Sequence, residues 1–350
     1  MPLILGIETS CDETAAAVVE DGRHVRSSIV WSQHETHAPY GGVVPELAAR
    51  AHVERIDTVL TDALVAADTR IGDLDAVAVT TGPGLAGALL VGVAAAKALA
   101  VSAGVPLVGV NHLEAHVHAA VVDDPRLVLP AVALLVSGGH TMLLDVTADP
   151  EGVWAFEMLG GTVDDAAGEA YDKVARFLGL GYPGGPEIDA IAATGDANAV
   201  PLPRAMRHQP YDFSFSGLKT AVVQAVRRAE AAGTPLSPGD VAAGFQAAAV
   251  DVLVDKAVHA AEDLERRTVV LAGGVAANSQ LRRQLARACD RRGLRWTMPS
   301  VPLCQDNAVM VAACADRPAA LGRFTPLDVG VDPSLSIARG NSHGNKPERV

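Results

Sequence analysis

One order of elements occurs twice in this 350-residue chain, and that repetition limits its fold more than any single motif does. Leu3 to Glu8 reads as a buried strand. A polar turn over Thr9 to Glu13, a second strand from Thr14 to Val19 and an Asp21-Gly22 turn into Val25 to Trp31 follow it. Apolar spacing then predicts a helix from Glu46 to Ala67, a strand at Ala76 to Thr81, a helix from Leu85 to Ala103, a strand at Leu107 to Val110 and a helix from His112 to Val122. After Ala131 the pattern resumes. A strand to Ser137 ends in a glycine turn, Thr141 to Val146 is its partner, and Thr268 to Ala272 runs through Gly273-Gly274 into a helix at Ala277 to Arg291. Two strand-turn-strand openings and two strand-glycine-helix units predict duplicated α/β halves with a cleft between them. The expected halves are residues 1–128 and 129–332, the second carrying a less regular insertion around 149–239. The polar tail 333–350 is expected to be disordered.

Composition narrows the function classes. Apolar residues make up 49% of the chain, enough to bury a core in each half. With 28 Lys and Arg against 41 Asp and Glu, the formal charge of −13 excludes a protein that grips nucleic acid by bulk electrostatics; an RNA role needs a local basic patch or a partner. Cys11, Cys289, Cys304 and Cys314 form neither a Cys-x-x-Cys pair nor a disulfide framework, which predicts a reducing, cytoplasmic setting. The apolar start at Met1 to Ile7 has no basic flank and runs at once into Glu8, Asp12 and Glu13, unlike a signal peptide. Ala86 to Val105, the most apolar stretch, carries Lys97 and reads as a core helix, so no membrane role is expected.

Several turns can carry chemistry. Glu8-Thr9-Ser10-Cys11-Asp12-Glu13-Thr14 offers backbone N–H groups, hydroxyls and adjacent carboxylates after a strand, suited to a phosphate or a hydrated cation but also to plain turn formation. Val136-Ser137-Gly138-Gly139-His140-Thr141 repeats the device, its glycines permitting close approach of a ligand. Gly273-Gly274-Val275-Ala276-Ala277-Asn278 joins a buried strand to a helix, where Asn278 either faces a ligand or caps the helix. Arg282, Arg283, Arg287, Arg291, Arg292 and Arg295 form a basic run that is either a salt-bridged face or a contact for an RNA backbone.

The sharpest local signal is His112 and His116, four apart on a predicted helix, whose imidazoles project from one face and can share a metal ion. A zinc-protease motif is excluded, because Leu113 stands where such a helix needs Glu and Glu114 points away from the histidine face. Cys304-Gln305-Asp306-Asn307-Ala308 supplies a further carboxylate, and two His with one carboxylate form an iron or zinc set. The competing role for Asp306 is a helix N-cap.

Taken with Gly168-Glu169-Ala170-Tyr171-Asp172-Lys173, Tyr182-Pro183-Gly184-Gly185-Pro186 and Phe213-Ser214-Phe215-Ser216-Gly217-Leu218-Lys219-Thr220, these motifs occur in one order. The chain from Leu3 to Asp332 resembles the bacterial tRNA N6-adenosine threonylcarbamoyltransferase family. That resemblance implies an actin-like ATPase fold (the Hsp70 and sugar-kinase architecture), with two lobes around a central cleft. It also implies transfer of a threonylcarbamoyl group from threonylcarbamoyl-AMP to the adenosine beside the anticodon. It implies His112, His116 and Asp306 as ligands of one Fe2+ or Zn2+. Leu135, Val136, Ser137, Gly138, Gly139, Asp172, Gly185, Asp189 and Asn278 would line a pocket for threonylcarbamoyl-AMP or ATP/ADP. Asp12 and Glu13 are the candidate general bases. The implied partners are tRNA, a smaller inactive paralogue subunit and an ATPase subunit. The rival readings are a kinase of the same superfamily, which has no use for two histidines, and a non-catalytic subunit, which would be expected to have lost part of this set.

Overall fold

A computed structural model describes residues 2–337. The first half contains β1 (Leu3–Glu8), β2 (Glu13–Glu20), β3 (His24–Ser32), α1 (His34–His37), α2 (Pro45–Ala66), β4 (Ala76–Gly82), α3 (Ala86–Ala103), β5 (Leu107–Asn111) and α4 (His112–Asp123). The second contains β6 (Ala131–Val136), β7 (Thr141–Ala148), β8 (Trp154–Gly161), α5 (Ala167–Phe177), α6 (Gly184–Ala192), α7 (Ser216–Ala231) and α8 (Pro238–Asp263). It continues through β9 (Thr268–Ala272), α9 (Ser279–Arg292), β10 (Arg295–Thr297), α10 (Val301–Cys304) and α11 (Ala308–Ala320).

The two sheets have one topology. The first runs β3-β2-β1-β4-β5 and the second, read from its other edge, β8-β7-β6-β9-β10. In each, the opening three strands pair antiparallel and the last two add parallel to the first strand's free side. The repeat expected from the sequence is therefore a repeat of strand order and direction as well as of element order. The parallel strands follow crossover helices, as parallel pairing requires. The region around 149–239 is more regular than an insertion: β8 is an edge strand of the second sheet, and α5, α6 and α7 are built from the rest.

Both faces of the first sheet are covered. Ile56, Leu60, Val93 and Ala96 of α2 and α3 pack on one face, while α11 contributes Val309, Met310 and Ala312 to the other. Thus α11 belongs spatially to the first sheet, although its place in the sequence assigns it to the second half. Gly6 permits this: a Cβ there would press on the Ala308 carbonyl and lie 2.9 Å from the Ala312 nitrogen, so the helix backbone rests directly on β1. Helix α4 lies between the sheets. Ala115 and Ala119 join the first sheet's core, and Leu113, Val117 and Ala120 join the second's.

Apolar helix α3 packs along α2 and β4, and its Lys97 donates to the Val329 carbonyl at 2.5 Å. Residues 333–337, expected in a disordered tail, are held instead. Gly84 N–H donates to the Pro333 carbonyl, and Ile337 is buried beside Leu113 and Val117. The remainder of that tail, 338–350, lies outside the described residues.

Candidate metal centre and cleft

Asn111 at the end of β5 caps α4 by accepting from the Leu113 N–H, which starts the helix at His112. One helical turn separates His112 from His116, and their rings meet edge-on with centroids 4.6 Å apart. Asp306 comes to them from the far end of the chain: its Oδ1 lies 3.1 Å from His116 Nε2 and 3.6 Å from His112 Nε2. The neighbouring residue settles the capping question. Asn307, not Asp306, caps α11, accepting from the Met310 N–H at 3.0 Å, which leaves the Asp306 carboxylate for the histidines. Cys304 takes no part; its thiol is buried and donates to the Pro299 carbonyl.

Three observations fit a metal ion at this cluster. One ligand atom from each of His112, His116 and Asp306 lies within 4.8 Å of the others. Among the described residues neither nitrogen of His116, which is 1% exposed, has an aligned hydrogen-bond partner; the 3.1 Å approach to Asp306 is close without hydrogen-bond geometry. A buried imidazole left so is costly unless something else takes its lone pair. The donor set, two imidazoles and a carboxylate, suits iron or zinc.

Sequence reasoning missed Glu8. It is wholly buried, and its Oε2 sits 3.1 Å from His112 Nδ1 while accepting from Thr80 Oγ1 at 2.6 Å; Ser10 N–H donates to its other oxygen at 2.5 Å. This is the carboxylate-histidine arrangement that fixes a ligand's tautomer, leaving Nε2 for the metal. The available signal was an acid at a buried position of an otherwise apolar strand, affordable only with partners. Burial opposes charge on His112, yet Asp306 and then Glu8 overcome it and raise its pKa to about 9. Burial pushes His140 the other way, to about 4, with His112 and His116 adding to the effect, so His140 also borders the cluster.

The polar turn approaches from the first lobe. Burial, and then the charges of Asp306 and Asp12, hold the Glu13 carboxyl well above the usual carboxylate range, and Ser32 Oγ donates to it at 3.2 Å. Cys11 is pushed up by burial and by Asp12 and Asp306. Asp12, Glu13 and Asp306 therefore share one electrostatic neighbourhood, the kind of anionic site that a cation relieves.

The second lobe supplies open glycines. A Cβ at Gly138, Gly139, Gly185 or Gly274 would meet nothing within 4 Å, whereas one at Gly168 would lie 2.6 Å from the Ser137 carbonyl and one at Gly273 2.5 Å from that of Val136. Gly273, at φ +86, also needs its glycine for conformation. The backbone thus packs tightly behind the turns and leaves space in front of them.

Other expected pocket residues are placed differently. Leu135 and Val136 are completely buried in β6, with side chains in the two cores, so they cannot line a pocket with side chains. Ser137 closes its turn, its N–H donating to the His140 carbonyl at 2.7 Å and its Oγ accepting from His140 N–H. Asn278 is the helix cap. Its Oδ1 accepts from Leu281 N–H at 2.9 Å and its Nδ2 donates to Gln246 Oε1 at 2.7 Å, so both amide ends face protein. Asp172 accepts from the Gly184 N–H at the start of α6, beside Gly185. Asp189 accepts from the Ser279 N–H and hydroxyl at the start of α9 and from Gln246 Nε2. Both acids sit at helix N-termini, and burial raises the Asp172 carboxyl above its ordinary range despite the Gly184 N–H it accepts from.

Comparison with known proteins decides the family. The model of the tRNA N6-adenosine threonylcarbamoyltransferase family matches residues 24–313. The chain belongs to this family. The tRNA N6-adenosine threonylcarbamoyltransferase of Symbiobacterium thermophilum is 52% identical over 341 residues, 97% of this chain and 98% of that one. The same-named protein of Moorella thermoacetica is 51% identical over 95% of this chain and 97% of its own length. Among solved structures, T. kodakarensis HypF superposes with a TM-score of 0.60 at 15% identity, covering 92% of this chain and 48% of that one. Component A of (R)-2-hydroxyglutaryl-CoA dehydratase from Acidaminococcus fermentans gives 0.55 at 16% identity over 91% of this chain and all of the other. The fold, from this chain's duplicated sheets and these superpositions, is the actin-like ATPase fold.

Proposed function

We propose that this chain transfers the threonylcarbamoyl group of threonylcarbamoyl-AMP to the exocyclic amine of the adenosine adjacent to the anticodon, in tRNAs reading codons that begin with adenine. The observation that carries the assignment is about 50% identity to threonylcarbamoyltransferases over nearly the whole of both chains. In the reaction a carbon–nitrogen bond forms, the bond from the carbamoyl carbon to the phosphate oxygen breaks, AMP leaves and the amine loses a proton.

The residues divide that work. His112, His116 and Asp306 would hold one Fe2+ or Zn2+, which supplies Lewis-acid polarisation when bound. The amides of Gly138 and Gly139, in a turn with open space at both Cβ positions, would supply donors to the phosphate or the carbamoyl oxygen. Asp172, Gly185 and Asp189 border the adenylate at the N-termini of α6 and α9. Asp12 and Glu13 are the carboxylates placed to take the amine's proton. Two histidines in the cluster weigh against the kinase reading, since phosphate-bound magnesium is held by oxygen ligands.

The setting is cytoplasmic, and the partners are tRNA, a smaller inactive paralogue and an ATPase subunit. Val53 and Val65 of α2 and Leu90 and Val101 of α3 are exposed apolar side chains on adjacent helices, a surface suited to the paralogue. The test supplies threonylcarbamoyl-AMP and unmodified tRNA to the metal-loaded chain with its partners and assays the modified nucleoside. Phosphoryl transfer from ATP to a small molecule, with no nucleoside formed, would establish the kinase instead.

A further inference from the structure

Helix α9 carries five arginines against one aspartate over 14 residues, in a chain whose formal charge is −13. A basic helix of this kind is ordinarily neutralised by acidic neighbours, and part of this region is. Arg292 Nε lies 2.9 Å from Glu262, and Arg295 lies 3.6 Å from Asp124. Arg283, Arg287 and Arg291 are different: all three are exposed, and none makes an ion pair or side-chain hydrogen bond among the described residues. Asp290, on the same side of the helix, is not within ion-pair distance of them either. Spacing of four places these guanidiniums on one face, about 6 Å apart along the axis. Like charges at this spacing repel, so the stripe costs the helix a little stability when unoccupied.

The stripe is anchored to the cleft. Helix α9 begins at Ser279, whose N–H and hydroxyl both bond Asp189, and it runs outward from there for about 18 Å to Arg291. A polyanion that delivers one nucleotide to the cleft would find along α9 a line of free cations on an otherwise acidic molecule.

We infer that Arg283, Arg287 and Arg291 form a phosphate-backbone track for the RNA substrate, fixing how the tRNA lies when its adenosine enters the cleft. This rests on the transferase reading above and adds a surface to it. Guanidiniums suit the task because they bind phosphate oxygens in a bidentate manner. The contact is blind to base sequence and positions the substrate; it does not select the adenosine.

The test uses the full chain with its partners and compares wild type with the triple variant Arg283→Gln/Arg287→Gln/Arg291→Gln and with Arg292→Gln, which removes a paired arginine. Binding of unmodified tRNA is measured from low to moderate salt. The expected result is a log-log salt slope shallower by about 2 to 3 in the triple variant and a tRNA KM raised at least tenfold, with threonylcarbamoyl-AMP affinity unchanged and a melting temperature no lower than wild type. Arg292→Gln should leave the slope alone. An unaltered slope and KM in a folded triple variant would overturn the track while leaving the transferase intact, as would loss of a protein partner with tRNA binding preserved. Wild type that forms no modified nucleoside at all would instead remove the reading on which the track rests.

Discussion

Glu8→Gln separates the role of the ligand set from the role of the residue behind it. In the wild type, Glu8 Oε2 lies 3.1 Å from His112 Nδ1, so the ring carries its proton on Nδ1 and offers Nε2 towards Asp306 and the metal. Glutamine is nearly the same size, and its carbonyl must take the Oε1 position, because the backbone N–H of Ser10 is a fixed donor there while the Thr80 hydroxyl at the Oε2 position can turn to accept. Its amide nitrogen must then donate towards His112 Nδ1, which moves the proton to Nε2 and blocks the ligand atom. Restoring the productive tautomer leaves two donors facing one another in a site that water does not reach. Partners of this type typically control metal affinity by 10–100-fold, or about 1.4–2.7 kcal/mol.

The assay is competitive titration of the metal-free protein with Zn2+ against a chromophoric chelator, accompanied by a melting curve. We expect a cooperative melt at a lower temperature, because a buried carboxylate–imidazole pair is lost, and affinity weaker by one to two orders of magnitude. Unchanged Zn2+ affinity in a variant that melts cooperatively would refute the claim that Glu8 sets the tautomer of His112.

His116→Ala should abolish stoichiometric metal while leaving a folded chain, since both ring nitrogens lack other partners; metal content of the purified variant against wild type decides it. Asn278→Ala should act on stability first. It loses a helix cap, about 1 kcal/mol, and leaves the buried Gln246 carbonyl short of a donor, about 1–3 kcal/mol more. A lowered melting temperature with near-normal threonylcarbamoyl-AMP affinity is expected, and the reverse pattern in calorimetry would return Asn278 to the ligand.

Much of this architecture was legible because its signals are local. Periodicity located the strands and helices of the first lobe within a few residues, and the i, i+4 spacing alone put His112 and His116 on one face. What was not legible depends on contacts between distant segments. Nothing in the sequence near Ala308 says that α11 returns to the first sheet. Asp306 and Asn307 offer equally good capping side chains, and only the fold shows that Asn307 takes the cap and frees Asp306. For Asn278 the sequence leaves ligand contact and helix cap equally open, and only the fold shows Gln246 and Leu281 bonded to the two ends of its amide. Residues 333–337 look like a polar tail by composition, yet Ile337 finds a place in the core beside α4.

The metal cluster depends on how closely α11 sits on β1, and Gly6 controls that distance. β1 ends at Glu8, which orients His112, and α11 begins two residues after Asp306, so this one packing contact sets the separation between opposite sides of the site. In Gly6→Ala the added methyl would collide with the Ala308 carbonyl and approach the Ala312 nitrogen to 2.9 Å and the Ala312 methyl to 3.1 Å. The two nearest are backbone atoms of a helix that cannot rotate aside, so α11 must lift, at an overpacking cost of about 1–3 kcal/mol. Lifting carries Asp306 away from His116 and His112, whereas the histidines stay with α4. The expected outcome is a moderate fall in melting temperature with a disproportionate fall in metal affinity, although Gly6 touches no ligand. Ala312→Gly in the same chain removes only the mildest of the three close contacts, the methyl at 3.1 Å, and should recover little of either, because both backbone clashes remain. A Gly6→Ala variant that melts lower but binds Zn2+ as tightly as wild type would show that Asp306 is positioned by its own loop and not by the docking of α11.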